Sequence, residues 1–292
     1  MEDLETYRPL LFSIAYRMTG SASEAEDLVQ ESFLHFLNTP HGTIHSLKSF
    51  LTTIVVHVCL DYLKSARVER EHYIGTWLPE PVLTTDSELW PEASLEQKES
   101  LSLAFLLMLE TLTPPERAIF LLHEVFDYPF QEVAKIVGKS PAACRQILHR
   151  AHQHLAAHQR RFAASPEVQS HLLQHFLLAC QRGDLAALTE LLAEESIAWA
   201  DGGGKAKAML RPIFGQGAVT RLLLGITRKL PPSLRVSIEE INSAPALVAW
   251  NGACLEFVSM FDVSDHHIQN LYTVRNPDKL VFLQRQLAKR LP

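Results

Sequence analysis

The sequence predicts a multidomain chain in which two all-α domains are followed by an α+β domain. Apolar residues recur at helical spacing through residues 4–72, and residues 130–155 carry the pattern of a helix-turn-helix. From residue 165 onward, helices give way to runs with strand character that are separated by turn residues. The chain of 292 residues is long enough for two or three domains of ordinary size.

The first segment, residues 1–75, is predicted to be a helical bundle. Gly20 ends the first helix, and Ser21 or Ser23 caps the second helix, whose first turn is acidic. A long third helix over 47–72 is apolar at its start and basic at its end.

Residues 76–96 have the composition of an acidic, proline-rich linker. Their first eighteen positions, TWLPEPVLTTDSELWPEA, contain three prolines and no basic residue. We expect this segment to be extended rather than packed. Trp77 and Trp90 are unusual in a free linker, and they suggest that it lies on a surface.

The segment 97–162 contains the strongest local signal, a helix-turn-helix. Ala134 is the small residue where two helices cross, Gly138 is the turn residue, and Ser140 caps the second helix. Four apolar residues are expected to lock the two helices together: Val133, Val137, Cys144 and Ile147. A purely structural αα-hairpin is the alternative. Helices are predicted over 95–111, 115–125, 130–137 and 141–158.

The outer face of the second helix follows from the locking face by geometry. It carries Ala142, Arg145, Gln146, His149 and Gln153, with Arg150 on its flank. Arg145 and Gln146 are the candidate base readers, because Arg pairs with guanine and Gln with adenine in the major groove. The candidates for phosphate contacts are Ser140, Arg150, Arg160 and Arg161.

The net charge of −6 is unevenly distributed along the chain. Residues 116–162 carry seven basic and four acidic side chains, whereas residues 77–115 carry one basic and seven acidic side chains. We therefore expect any DNA contact to be local, and weak without help from a partner.

Residues 163–292 are predicted to form an α+β domain with a curved antiparallel sheet. The predicted elements are helices over 166–182 and 184–193, a strand at 197–201, a glycine turn, a helix over 213–228, four strands between 234 and 274, and a last helix from Pro277.

The first segment resembles region 2 of the extracytoplasmic-function (ECF) sigma factors. The resemblance rests on RPLLFSIAYRMTGSASEAEDLVQESFLHFL and SFLTTIVVHVCLDYLKSARVERE. It implies contacts with the β′ clamp helices of core RNA polymerase at Glu26, Asp27, Gln30 and Glu31. It also implies contacts with the promoter −10 element at His57, Asp61, Tyr62, Lys64, Arg67 and Arg70. Phe50 and His57 depart from the usual family residues, which leaves the −10 sequence open.

The segment 97–160 resembles region 4 of the same family, through LTPPERAIFLLHEVFDYPFQEVA and the helix that follows. In that family, region 4 reads the −35 element and touches the polymerase β flap. The implied −35 contacts are Ser140, Ala142, Arg145, Gln146, His149 and Arg150.

The third segment is similar to the SnoaL-like extension of one ECF subgroup. The resemblance rests on WLPEP (77–81), DGGGK (201–205), NPDKL (276–280) and FLLACQRGDLAALTELL. We expect this domain to contact the sigma domains or the linker and to shift them between open and closed arrangements. The expected regulatory contacts are Trp77, Pro79, Asp201, Gly202, Gly203, Gly204, Lys205, Asn276, Pro277, Asp278, Lys279 and Leu280.

Catalysis in the third segment is a weaker hypothesis. Fold relatives place an Asp or His base in an apolar cone, and the candidates by residue type are Asp201, Asp262, His266 and His267. DGGGK lacks the spacing of a phosphate-binding loop, so its glycines are expected to form a tight turn. No cofactor or metal site is predicted, because the four cysteines lack metal-ligand spacing. An apolar pocket could hold a small molecule, although the sequence names none.

The sequence thus predicts an alternative sigma factor without chemistry of its own, which binds core RNA polymerase and directs initiation at specific promoters. The alternative is a stand-alone helix-turn-helix regulator with a ligand-sensing C-terminal domain. Neither a membrane span nor a secretory signal is predicted, so we expect a cytoplasmic protein. The promoter, the signal, the oligomeric state and the resting arrangement stay open.

Overall fold

A computed structural model describes residues 4–39, 46–86, 89–90, 99–156 and 165–290, without the side chains at 67–69, 156 and 166. The predicted contacts of Arg67, Arg160 and Arg161 therefore lie outside the described residues. The chain forms two compact units. The first combines Met1–His72 with Thr84–Gln159, and the second combines Tyr73–Leu83 with Arg160–Pro292.

The first helical segment of unit 1 follows the predicted breaks closely. Gly20 has a left-handed φ of 70° and its N–H bonds to the carbonyl of Tyr16, which ends the first helix. Ser21 caps the next helix by accepting a hydrogen bond from the N–H of Glu24 at 3.2 Å. The elements are a 3₁₀ turn Leu4–Tyr7, α1 Arg8–Thr19, α2 Ala22–Asn38 and α3 Leu47–Glu71.

The second helical segment of unit 1 contains the predicted helix-turn-helix. Its elements are α4 Leu103–Leu109, α5 Pro114–Phe120, a π-helical turn Leu121–Val125, α6 Phe130–Ile136 and α7 Pro141–Ala156. Gly138 makes the turn with a φ of 65°. Ala134, Val133, Cys144 and Ile147 are buried as predicted, whereas Val137 is half-buried because it ends α6.

The two helical segments pack against each other within unit 1. α3 contacts α5 and α6, and α1 contacts α4 and α5. The largest side chains with almost no exposure in this unit are Arg17, Tyr16, Phe12, Leu11 and Ile14. The first segment therefore contributes much of the core on which the second segment rests.

Unit 2 is the predicted α+β domain together with the first part of the linker. Its elements are α8 Pro166–Arg182, α9 Leu185–Leu191, β1 Leu192–Asp201, β2 Ile213–Phe214, α10 Gln216–Thr227, β3 Leu234–Ile241, β4 Ala244–Asn251, β5 Cys254–Ser264, β6 His267–Val274 and α11 Pro277–Ala288. Two predictions differ: β1 begins earlier than residue 197, and Ile213–Phe214 forms a strand instead of the start of a helix.

Six strands form one sheet in the described part of unit 2, in the order β2-β1-β6-β5-β4-β3. Neighbours are antiparallel except for β1 and β6, which run parallel. The expected antiparallel meander is formed by β3 to β6. The parallel pair, β1 and β6, was not expected, because these strands are about 70 residues apart. The relative direction of two strands so far apart leaves no local signal in the sequence.

Both faces of the sheet are covered. Helices α8, α9 and α10 pack on one face through an apolar cluster that includes Phe176, Leu223 and Phe261. The residues that alternate with this cluster in β5, Val258 and Met260, are buried as well, and α11 packs on the same strand. No helix in the described ranges is long and apolar enough to cross a bilayer.

Candidate functional site

The outer face of α7 carries the predicted −35 residues. Ala142, Arg145, Gln146, His149 and Arg150 are exposed, on the side opposite the buried Cys144 and Ile147. Ser140, also exposed, caps the helix by accepting a hydrogen bond from the N–H of Ala143 at 3.1 Å. This exposed helix face has the shape and chemistry needed to enter a major groove.

The predicted polymerase-binding face of α2 is largely open to solvent. Asp27, Gln30 and Glu31 are exposed and Glu26 is half-buried. Sequence reasoning missed Leu34 and Leu37, which are 59% and 62% exposed. They continue the same face at helical spacing, a signal that was available in the sequence. The exposed acidic face of α2 is thus continued by the exposed apolar residues Leu34 and Leu37.

The predicted −10 residues on α3 are divided between two surroundings. Asp61 and Lys64 are exposed and form an ion pair at 2.7 Å, with Tyr62 half-buried between them. His57 is exposed as well, but its Nε2 bonds to the main-chain oxygen of Ile136 at 2.7 Å. Arg70 is half-buried and pairs with Glu110. Two of the predicted DNA contacts are therefore engaged by other parts of the protein.

Glu110 joins the two helical segments through two arginines. Arg70 on α3 forms an ion pair with one carboxylate oxygen, and Arg117 on α5 binds the other at 2.7 Å. Both guanidinium groups also donate to the carboxyl end of α1, Arg70 to the oxygen of Thr19 and Arg117 to that of Met18. Carbonyls at a helix C-terminus attract cations.

Arg17 is a second cation buried in unit 1. Its guanidinium lies 5.8 Å from the ring centroid of Trp90 and 5.5 Å from that of Phe126, and Nε donates to Ser100 at 2.9 Å. Burial lowers the pKa of Arg17 to about 9. Trp90 thus lies on a surface, as expected, and that surface belongs to α1.

The linker residues 78–83 are buried in unit 2, so the expectation of an unpacked linker was wrong. The carboxylate of Asp201, at the end of β1, is fully buried and organises the contact. Its Oδ1 accepts from the hydroxyl of Tyr73 at 2.5 Å, and its Oδ2 accepts from the N–H of Leu78 at 2.9 Å. Burial and the adjacent carboxylate raise the pKa of Tyr73.

Lys279 supplies the opposite charge. Its Nζ donates to Oδ2 of Asp201 at 2.7 Å and to the main-chain oxygen of Leu78 at 2.6 Å. It also lies over the ring of Trp77 at 4.2 Å and that of Tyr73 at 4.8 Å. The cation therefore binds the linker by charge, hydrogen bond and aromatic contact together.

Asn276 and the glycine turn complete this site. The side chain of Asn276 caps α11 and donates to the hydroxyl of Tyr73 at 2.9 Å. A Cβ on Gly203 would lie 2.2 Å from the Asn276 amide nitrogen, so only glycine allows this approach, and Gly203 also has a φ of 56°. Lys205 pairs with Asp278 at the exposed rim. The three motifs thus meet in one place.

The end of the linker is held by its main chain. Val82 exchanges two hydrogen bonds with Asn242, and Leu83 exchanges two with the side-chain amide of Gln286. Leu83 also forms a β-bridge with Ile241 at the sheet edge. Sequence reasoning missed Tyr73, Asn242 and Gln286, and no local pattern identifies them. Pro79 and Pro81 have no N–H to satisfy, which suits a buried extended segment.

The candidate catalytic residues do not converge. Asp201 is occupied by the linker, and Asp262 accepts a hydrogen bond from Asn270 at 3.0 Å. His266 lies in the turn between β5 and β6, His267 begins β6, and both are exposed. The helix-covered cluster of the sheet is formed by apolar residues. Among the described residues, no group of three or more potential ligands could hold a metal ion.

Two helical segments, the second with an exposed recognition helix, define a DNA-binding transcription factor with an appended α+β domain. Comparison with protein-family models matches Sigma-70 region 2 at residues 4–68 and Sigma-70 region 4 at residues 102–155. The ECF RNA polymerase sigma factor SigJ of Mycobacterium tuberculosis is 34% identical over 289 residues, which cover 96% of this chain and 92% of SigJ. The chain therefore belongs to the ECF RNA polymerase sigma factors.

Two further comparisons agree with this assignment. The probable ECF sigma factor SigI of Mycobacterium tuberculosis is 37% identical over 190 residues, 64% of each chain. The crystal structure of SigJ superposes with a TM-score of 0.76 and 29% identity, covering 95% of this chain and 97% of that one. The predicted fold class, helical sigma domains followed by a SnoaL-like domain, is confirmed. The protein is a sigma factor that binds core RNA polymerase and promoter DNA, and the stand-alone regulator is not favoured.

Proposed function

We propose that the SnoaL-like domain regulates this sigma factor in cis by holding residues 73–83, which are the last three residues before the predicted linker and its first eight residues. The observation that carries the proposal is the buried carboxylate of Asp201, which binds Tyr73 and Leu78 of the linker and Lys279 of the last helix. The motifs WLPEP, DGGGK and NPDKL thus each contribute a residue to the same site around Asp201. A linker held in this way is a two-state element that a signal can shift.

Holding the linker shortens the tether between the two DNA-reading segments. Residues 73–83, if released and fully extended, add at most about 36 Å of reach. A sigma factor has to place its two segments on separate promoter elements, so release favours the open, promoter-bound form. The predicted linker covers residues 76–96. In this proposal its first part, residues 76–83, belongs to the C-terminal domain.

The contacts inside unit 1 support a closed resting arrangement. His57 and Arg70, two predicted −10 contacts, bond instead to Ile136 and Glu110 of the second helical segment. Separation of the two segments would release both side chains from these bonds. We infer that binding to polymerase opens unit 1, so that His57 and Arg70 join the exposed Asp61 and Lys64 on α3.

The finer assignments follow the exposed faces. The acidic face of α2, with Asp27, Gln30 and Glu31, suits a basic surface such as the β′ clamp helices. The outer face of α7 suits the −35 element. We propose that the second helical segment, which contains α7, also contacts the β flap of the polymerase. We propose that transcription initiation by this protein takes place in the cytoplasm, where core polymerase and promoter DNA are found.

We also propose that the SnoaL-like domain has no catalytic activity. Asp201, its most deeply buried carboxylate among the catalytic candidates, is neutralised by Lys279 and covered by the linker. The remaining candidates are dispersed, because Asp262 accepts a hydrogen bond from Asn270 on β6, whereas His266 and His267 are exposed at the junction of β5 and β6.

The test measures promoter output and polymerase binding of the full chain side by side. Asp201→Asn removes the charge that binds Lys279 and weakens the acceptors for Tyr73 and Leu78. We expect this variant to bind core polymerase like the unaltered chain and to give several-fold more transcript per bound sigma factor. The charge reversal Asp27→Lys with Glu31→Lys is expected to abolish polymerase binding.

Lys205→Met is the matched control: Lys205 was among the expected regulatory contacts, but the structure places it in an exposed ion pair with Asp278 at the rim of the site. It should leave promoter output unchanged. Output from Asp201→Asn equal to that of Lys205→Met would remove the basis for regulation by the linker contact. Retained polymerase binding by the charge-reversed variant would contradict the assignment of α2.

A further inference from the structure

Two aromatic side chains, Phe130 and His123, support Arg145 near the start of the recognition helix. The guanidinium carbon of Arg145 lies 5.3 Å from the ring centroid of Phe130. The ring of Phe130 lies in turn against His123, with centroids 4.0 Å apart and planes inclined by 32°. Phe130 begins α6 and Arg145 lies in the first turns of α7, so the stack joins both helices of the helix-turn-helix.

The base of the stack is fixed by the protein interior. His123 lies in the π-helical turn Leu121–Val125, and such turns are frequent at functional sites. Its Nδ1 donates to the main-chain oxygen of Tyr128 at 2.9 Å, since a carbonyl can only accept. Tyr128 is itself buried. The imidazole therefore has a defined orientation beneath Phe130.

A supported arginine binds differently from a free one. An unsupported arginine on an exposed helix face samples many rotamers, and ordering it on binding costs affinity. Contact with an aromatic face fixes the plane of the guanidinium group. That plane must be aligned with the base edge for two parallel hydrogen bonds to a guanine. The stack thus partly orders the side chain of Arg145 before DNA binds.

We propose that Phe130, with His123 beneath it, is a positioning residue that presents Arg145 to one base pair of the −35 element. This inference rests on the proposed reading of DNA by α7. Phe130 is half-buried and acts through Arg145, without a base contact of its own. The three side chains of the stack all belong to the second helical segment.

The experiment uses holoenzyme assembled from core polymerase and the full chain. It selects promoter fragments in which the −35 segment is randomised, and sequencing gives the base preference at each position. Arg145→Ala is expected to abolish the preference at one position. Phe130→Leu keeps an apolar side chain but removes the ring, and should lower the preference at that same position by roughly 2- to 5-fold. Phe130→Tyr keeps the ring and should retain the preference.

A matched control is Phe105→Leu, because Phe105 is also half-buried and packs on another ring, Phe120, with centroids 6.1 Å apart. It should leave every base preference unchanged. The double variant Phe130→Leu with Arg145→Ala should select the same sequences as Arg145→Ala alone, since the two residues act as one unit.

The outcomes separate the two claims. Unchanged preferences in Arg145→Ala would show that α7 does not read DNA through this residue, and the proposed reading itself would fail. A lost preference in Arg145→Ala, with no larger change in Phe130→Leu than in Phe105→Leu, overturns the positioning role and leaves the reading role intact. Equal weakening at every position in Phe130→Leu also overturns it, because that pattern reflects lost stability alone.

Discussion

The two units of this sigma factor each contain an ion-pair site that joins distant parts of the chain, and the two sites differ in burial. In unit 1, the side chains of Arg70 and Glu110 are 23% and 22% exposed. In unit 2, Lys279 and Asp201 are 8% and 0% exposed. Water reaches the first pair and is excluded from the second, so the first exchanges its partners at a lower cost.

The difference also concerns which residues make each contact. Arg70 and His57 have a second predicted role in DNA binding, so the contact in unit 1 competes directly with function. Asp201 and Lys279 make their contacts within the linker site. This difference is the one expected if, as proposed, unit 1 opens on polymerase and the linker site holds until a specific signal releases it.

The largest expected effect is that of Lys279→Met. It leaves the carboxylate of Asp201 buried without its cation, which lowers the free energy of unfolding by about 3–5 kcal/mol. Urea unfolding of the full chain, followed by tryptophan fluorescence, measures the loss. Adding Asp201→Asn removes the buried charge and should restore part of the stability. Equal stability of the single and double variants would mean that the ion pair is not the source of the effect.

Glu110→Gln should have a smaller effect in unit 1. It removes the negative charge between Arg70 and the buried Arg117, and the unfolding free energy should fall by about 1–3 kcal/mol. Hydrogen exchange of α3 and α5 should increase, because their contact loosens. Glu124→Gln is the matched control, since Glu124 pairs with His152 at the surface. A loss no greater than that of the control would count against Glu110 as the joint between the segments.

Alkaline pH should release the linker through Tyr73. Burial, with the neighbouring Asp201, raises the pKa of this phenol above its usual value. The hydroxyl must stay protonated to donate to Asp201, so its contribution is complete below the unfolded pKa of about 10 and declines above it, by up to about 1.4 kcal/mol per pH unit. Trp77 fluorescence between pH 8 and 11 reports the release. Tyr73→Phe should lack this decline, and identical pH profiles would exclude Tyr73 as the cause.

The smallest expected effect is that of Lys205→Met. Lys205 and Asp278 form an ion pair that is 57% and 61% exposed, at the rim of the same site as Lys279. Exposed pairs contribute little, so the free energy of unfolding should change by less than about 0.5 kcal/mol. A loss comparable to that of Lys279→Met in the same urea titration would show that burial does not distinguish the two pairs.

The helix-turn-helix could be predicted residue by residue because its determinants are local. Ala134, Gly138 and Cys144 are fixed by helix spacing and turn geometry, and the exposed face follows once they are assigned. The caps Ser21 and Asn276 are equally local. The assignment of DNA bases to this face stays a prediction.

The linker site was only partly predictable. The resemblance grouped WLPEP, DGGGK and NPDKL without saying what joins them. Gln286 binds Leu83 across 203 positions of sequence, and Lys279 binds Leu78 across 201. Side-chain bonds to the main chain at such separations impose no periodicity and no spacing, so Tyr73, Asn242 and Gln286 gave no signal.

The sequence by itself determined the order of most helices and strands, the caps of α2 and α11, which face of the recognition helix is exposed, and the family to which the chain belongs. Periodicity, capping and turn residues act over a few positions, and one sequence is sufficient to read them. Only the tertiary structure decided that Arg70 turns to Glu110 instead of solvent, and that the linker lies on Asp201. Those choices depend on the free energy of burying a charge beside its partner, which exists only after distant segments have met.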